Sequence, residues 1–269
     1  MEFCINAITL GEHPFPTSVE ASASAGFKAI ELWLPHVEAY LADGHTAQQA
    51  RAVLDDHGVQ AVGACFVSGL IASTGDAKRA AFDAAKERFE LCQILGAPVI
   101  VCVGDGPADP TLDDYTVAAE QAREVGDLAA SFGLHVAIEF IAGFPFIGTL
   151  ATAARLVTEA EHQHLGILFD IFHFYAGTSK EADFATLDHA PISFVHLNDA
   201  APRPREILRD ADRLLPGHGC LPLADLAERI RHTGYDGYYS LELFHPEIQA
   251  MDPTEAAKLC YEACERFAQ

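Results

Sequence analysis

Basic residues are scarce in this chain. Only 17 Lys and Arg stand against 39 Asp and Glu, for a formal net charge of −22. Such a charge opposes non-specific binding to nucleic acid or to an anionic membrane. Long apolar runs are also missing, since no stretch approaches the roughly 20 residues of a transmembrane helix. The segment MEFCINAITL has no basic region ahead of an apolar one, so no signal peptide is expected. The expectation is a cytoplasmic protein with neither nucleic acid nor membrane as partner. The seven cysteines are scattered, odd in number and contain no CxxC pair. That speaks against a disulfide framework and against a zinc knuckle. Cys260 and Cys264, one helical turn apart, read as small apolar residues of the last helix. No G-x-G-x-x-G follows a strand-like run, and neither a G-x-S-x-G elbow nor a Walker motif occurs. Dinucleotide, serine-hydrolase and nucleotide readings therefore lack support.

What the chain does have is regular alternation. Apolar strand-like runs fall at 2–9, 28–34, 59–66, 97–104, 135–140, 165–170, 192–198 and 238–243. Helical patterns lie between and after them, at 17–26, 46–57, 76–95, 112–132, 149–161, 179–188, 221–234 and 253–267. The first helix takes Thr17 or Ser18 as cap and Gly26 as stop. The strands are near-continuous runs of Val, Ile, Leu, Ala and Phe, as in a parallel sheet covered on both faces. Eight such units in 269 residues, with no linker or break in composition, predict a single (β/α)8 TIM barrel in one domain, 1–269.

Four of these runs carry a residue out of keeping with their apolar surroundings. They are Glu139 in HVAIEFIAG, Asp170 in LGILFDIFHF, His196 in ISFVHLND and Glu242 in YYSLELFHP. An acid or imidazole in such a run is costly unless it is paired or bound to a metal. All four sit near C-terminal strand ends, where α/β barrels carry their functional groups. Hydrogen-bonded polar groups of a barrel layer are the competing reading, good for any one residue alone and poorer for four in successive strands. The oxygen-rich set suits one divalent metal ion, Mn²⁺ first, with Mg²⁺, Co²⁺ or Zn²⁺ as alternatives. His173, three residues after Asp170, faces the same pocket as a support or substrate-oxygen ligand. Asp199 either orients His196 or caps the following loop. The loop 198–221 holds Arg203, Arg205, Arg209 and Arg213. Arg203 and Arg213 are the preferred substrate contacts, for a hydroxyl-rich or phosphorylated molecule. Trp33, followed by a loop Pro, leads Phe66, Phe144 and Phe172 as an apolar pocket wall. His13, His36 and His218 read as surface loop residues.

At these positions the chain resembles the xylose-isomerase-like barrel superfamily, in its sugar phosphate isomerase/epimerase branch. The segments that carry the likeness are IEF (138–140), FDIFHF (169–174), FVHLND (194–199), DRLLPGHG (212–219) and SLELF (240–244), with ITL and GFKAIELW near the start. It is most similar to the inosose isomerase group. The resemblance implies that Glu139, Asp170, His196 and Glu242 hold the metal. It implies that Glu139 and Glu242 are also the acid/base pair, that His173 holds a substrate oxygen and that Arg213 is the family's arginine. Ketohexose 3-epimerases carry another Glu shortly after the first metal Glu, where this chain has FIAGFPF with Pro145. Endonuclease IV relatives carry extra histidines that AVGACFVSG and VIVCVGDG lack.

The expected reaction is metal-assisted proton transfer next to the carbonyl of a polyhydroxy ketone or aldehyde, through an enediolate. Return of the proton to the neighbouring carbon isomerises; return to the opposite face epimerises. A lyase on a keto-sugar would use the same enolate chemistry. A DNA-repair nuclease and a non-catalytic accessory barrel are the more distant rivals. Barrels of this kind often pair, so a homo-oligomer is a possible state by analogy.

Overall fold

The computed structural model describes residues 1–104 and 106–268. Asp105, in the VIVCVGDG segment, and Gln269, the end of the expected domain, lie outside the described residues. The strands are β1 (Glu2–Asn6), β2 (Ala29–Trp33), β3 (Gln60–Val67), β4 (Val99–Val103), β5 (His135–Glu139), β6 (Leu165–Asp170) and β7 (Ile192–Leu197), then the two-residue β8 (Asp199–Ala200) and β9 (Arg213–Leu214), and finally β10 (Tyr238–Leu241). Strands β1 to β7 and β10 pair in parallel around a closed barrel, with β1 between β10 and β2. The fold is a (β/α)8 TIM barrel. Strands β8 and β9 form a small antiparallel ribbon in the long segment after β7.

The helices are α1 (Phe15–Ala25), α2 (Leu34–Ala42), α3 (Ala47–His57), α4 (Gly75–Leu95), α5 (Leu112–Ser131), α6 (Leu150–Ala160), α7 (Ile171–Ala176), α8 (Leu223–His232), α9 (Pro246–Gln249) and α10 (Pro253–Phe267). Helix α1 starts two residues before the expected Thr17, because Pro16 suits a first helical turn. The first strand stops at Asn6, whose side chain accepts a hydrogen bond from the Ile8 amide and turns the chain into a 3₁₀ segment, Ala7–Leu10. The expected helix at 179–188 is a 3₁₀ stretch, Glu181–Asp188. Short helices α2, α7 and α9 fill places read as loop. Pro35 lies in the first turn of α2, and Asp170 caps α7 by accepting from the His173 amide at 2.9 Å. Among the described residues no helix is long and apolar enough to cross a membrane.

Two apolar clusters divide the core. The larger lies between sheet and helices and includes Phe27, Phe89, Phe140 and Phe169. The smaller fills the barrel itself with Cys4, Ala29, Val62, Cys65, Val101, Ala137, Leu168 and Phe194. Phe194 is the bulkiest of these. A Cβ on Gly63 would meet its ring at 2.7 Å, so a side chain there would need the ring to move. Phe194→Ala should therefore leave a cavity that the strands cannot close and cost about 3–5 kcal/mol of stability. A urea unfolding midpoint unchanged from wild type would contradict this packing.

Candidate metal centre

Side chains alternate along a strand, so residues two apart share a face. Ala137, Leu168 and Phe194 point into the barrel. Two residues further on, Glu139, Asp170 and His196 do the same, one layer nearer the C-terminal mouth. Ser240 and Glu242 follow this rule at the end of β10. Asp170 and His196 are paired in register, as are His196 and Ser240. One ligand atom each from Glu139, Asp170, His196 and Glu242 lie within 4.8 Å of one another. All four residues are buried. His196 Nδ1 is 3.0 Å from Glu242 Oε2, 3.5 Å from Asp170 Oδ2 and 3.8 Å from Glu139 Oε1.

The other imidazole nitrogen decides what this centre can bind. His196 Nε2 lies 3.1 Å from both oxygens of Glu31, which also accepts from Ser240 Oγ at 2.6 Å. A carboxylate only accepts, so Nε2 carries the hydrogen and Nδ1 keeps its lone pair when the ring is neutral. Nδ1 has no hydrogen-bond partner among the described residues. A buried orphan nitrogen facing three carboxylates fits a divalent cation, and a carboxylate behind a metal-binding histidine is a common support. Glu31 is fully buried on β2. Sequence reasoning missed it, although an acid inside AIELW gave the same signal as the four that were read.

Arg213 comes from β9 and is almost wholly buried. Its Nη1 donates to Asp170 at 2.7 Å and to Glu242 at 3.0 Å. Its Nε and Nη2 donate to Asp210 at 3.1 and 2.9 Å, and Nη2 also donates to His173 Nε2 at 3.1 Å. Because guanidinium only donates, His173 Nε2 must accept and its hydrogen sits on Nδ1. That Nδ1 has no partner among the described residues. Asn6 Nδ2 completes the surround by donating to Glu242 Oε1 at 3.1 Å.

These neighbours set the protons. Burial, reinforced by Glu242 and Asp170, pushes Glu139 up to about 8 against the pull of His196 and Arg213. Burial also opposes charge on Asp170, but Arg213, ahead of His173 and His196, holds it well below the carboxylate range. Burial disfavours charge on His196, yet Glu242 and Glu31 outweigh it and keep the ring protonated well above the usual imidazole range. For His173 burial outweighs the pull of Asp170, and the ring stays neutral. Metal uptake at neutral pH must then displace protons from Glu139 and His196. Affinity should rise with pH by about tenfold or more per unit, most steeply below pH ~8, where both Glu139 and His196 give up protons, and still rise above it while His196 holds its own. Titration of metal binding at several pH values measures this; an affinity independent of pH between about 6 and 8 would contradict it.

The structure separates the remaining sequence candidates. Trp33 and Phe66 pack against the barrel-interior cluster at the mouth. Phe172 is buried under the Arg213 guanidinium, 4.8 Å from its ring centre. Phe144 is exposed. Arg203 is half-exposed and donates to Asp212 at 2.5 Å, away from the four converging residues. Arg205 lies against Tyr175 and bonds the carbonyls of Tyr175 and Gly177. Asp199 caps the loop, accepting from the amides of Ala200, Gly217, Gly219 and Leu221. Glu31 takes the role of orienting His196. His36, read as a surface residue, is buried beside Glu12.

A parallel barrel with three carboxylates and one imidazole converging at its C-terminal mouth defines a class of barrel built to hold a divalent cation. Within it, the chain belongs to the xylose isomerase-like TIM barrel family, whose pattern matches residues 19–264. It is 30% identical over 183 residues to an inosose isomerase of Halalkalibacterium halodurans, covering 64% of this chain and 62% of that one. It is 27% identical over 237 residues to a 3-dehydroshikimate dehydratase of Pseudomonas putida, covering 87% of this chain and 37% of that one. Thus the matched region spans less than two thirds of either relative's length. A crystal structure described as the IOLI protein with a binding zinc atom superposes with a TM-score of 0.89, over 99% of this chain and 98% of that one, at 22% identity. That likeness shows the shared fold.

Proposed function

We propose that this chain is a divalent-metal-dependent isomerase or epimerase. It moves a proton next to the carbonyl of a polyhydroxy ketone or aldehyde, a sugar or an inosose. The observation that carries this reading is the convergence of Glu139, Asp170, Glu242 and His196 Nδ1, with their ligand atoms within 4.8 Å of one another. The likeness to an inosose isomerase supports it. A divalent ion held by these four residues, Mn²⁺ by preference with Mg²⁺, Co²⁺ or Zn²⁺ as alternatives, would supply Lewis-acid stabilisation of negative charge developing on the substrate.

The chain's own residues do the rest. Glu139 and Glu242 form the acid/base pair. Glu139, whose nearest histidine nitrogens stand 3.8 and 3.9 Å away, is the less tied of the two and the better placed to move a proton. His173, neutral and with a free Nδ1–H, donates to a substrate oxygen. Arg213 fixes His173 in that tautomer and holds the inner edge of the substrate site. Arg203 meets only the outer end of a substrate, and Trp33 forms its apolar side. We extend the reading to a single-domain cytoplasmic enzyme over 1–269, without nucleic-acid or membrane partners and able to pair with itself. Light scattering measures the last.

Solvent deuterium exchange tests the proposal. The metal-loaded protein, incubated with an inosose in D₂O, should place deuterium on a carbon next to the carbonyl. No exchange over a panel of inososes and ketoses would overturn it. The likeness to a dehydratase favours one second reading, elimination of a β leaving group from the same enolate. Loss of water, seen as conjugated-enone absorption, would select it.

A further inference from the structure

We propose that Trp33, Phe66 and Phe244 form an aromatic wall that selects a six-membered ring ketone over an open-chain ketose. The proposal rests on the metal-dependent reading of the mouth and narrows its substrate. It starts from strand alternation. Glu31 points inward to His196, so Trp33, two residues on, points inward above it. Ser240 and Glu242 point inward on the next strand but one, and Phe244 continues that series just past β10. Phe66, near the end of β3, packs with Trp33 on the barrel-interior cluster.

The three rings meet. Trp33 lies 5.5 Å from Phe66 and 6.4 Å from Phe244, centre to centre, in tilted and edge-on arrangements. Phe244 is also 5.5 Å from the Arg213 guanidinium carbon, and Arg213 bonds Asp170 and Glu242. The wall therefore reaches the metal ligands. None of its rings is fully buried. Strand order puts β10, β1, β2 and β3 side by side and leaves β5, β6 and β7, with Glu139, Asp170 and His196, on the other side. The three rings thus gather at one side of the mouth, with Glu242 beside them, and face Glu139, Asp170 and His196 across it.

A six-membered polyol ring matches that division. Its hydroxyls project from the edge toward polar groups, while its C–H bonds make an apolar face that an aromatic surface covers. An extended ketose offers no continuous face of this kind.

Trp33 is the only tryptophan in the chain, so its emission reports on the wall directly. The metal-loaded protein is titrated with an inosose and, separately, with 5,6-di-O-methyl-D-fructose, a ketose that cannot close to a five- or six-membered ring. The inosose should change Trp33 emission saturably and bind about tenfold tighter or better than the open-chain ketose. Phe66→Leu and Phe244→Leu, which keep apolar bulk but remove the ring, should each weaken inosose binding about three- to tenfold and leave binding of the open-chain ketose nearly unchanged. Equal affinity for ring and chain, or equal losses for both in the variants, would overturn the wall while metal binding and proton exchange stand. Absence of metal binding and exchange would instead sink the underlying reading, and the wall with it.

Discussion

Glu139→Gln should lower proton exchange by about 10²–10⁴-fold with the barrel intact. The argument comes from how differently the two candidate carboxylates are held. Both oxygens of Glu242 are engaged, one by Asn6 and one by Arg213. Glu139 meets His196 Nδ1 at 3.8 Å and His173 Nε2 at 3.9 Å, beyond hydrogen-bond length. A carboxylate that is so weakly tied can give and take a proton at little cost in lost contacts. Gln keeps the volume and one metal-facing oxygen but cannot carry the proton. Metal should still bind, more weakly, through the other three residues. Measurement of exchange and metal affinity on the same preparation separates the two effects. A variant that exchanges deuterium at more than about a tenth of the wild-type rate would remove Glu139 from the acid/base pair.

The second large effect lies on β2. Glu31→Ala should weaken divalent-metal binding by about 10–100-fold, and Glu31→Gln by less. Neither residue would touch the ion. In the wild type the Glu31 carboxylate holds the His196 Nε2 hydrogen and raises the basicity of Nδ1. Gln still accepts that hydrogen bond but brings no charge. Ala leaves a buried N–H without an acceptor and frees Ser240, so the ring can turn or change tautomer. Calorimetric titration with Zn²⁺ or Mn²⁺ reads the affinity, and circular dichroism checks the fold. Wild-type affinity in both variants would mean that His196 is oriented by something else.

The barrel and four of its inward polar groups were legible because each broke an apolar run. Glu139, Asp170, His196 and Glu242 each stand two residues past an inward barrel residue, and alternation carries that regularity into the sequence. Glu31 broke its run in the same way, but it lies three strands before the others in chain order and joins them only when β1 closes against β10 and β2. Closure is a long-range fact that local pattern does not contain. Which nitrogen of His196 or His173 is free was hidden for the same reason, since each depends on a partner far away in the chain. The short helices α2 and α7 were missed because their start signals had been given other meanings. Pro35 read as a loop breaker and Asp170 only as a metal ligand, whereas Asp170 also caps α7. Arg213 was legible as important. Its saturation by Asp170, Glu242, Asp210 and His173 was not, and it shifts the residue from a free substrate grip toward a fixed counter-charge beside the acids.

Metal stoichiometry, measured on wild type and Glu242→Gln side by side, tests the central claim most directly. Purified protein should hold about one divalent ion per chain, the load that four converging ligands support, and Glu242→Gln should bind it weakly or lose it. Wild-type protein that takes up no ion after exposure to Mn²⁺, Co²⁺ and Zn²⁺ would contradict the four-residue centre and the chemistry built on it.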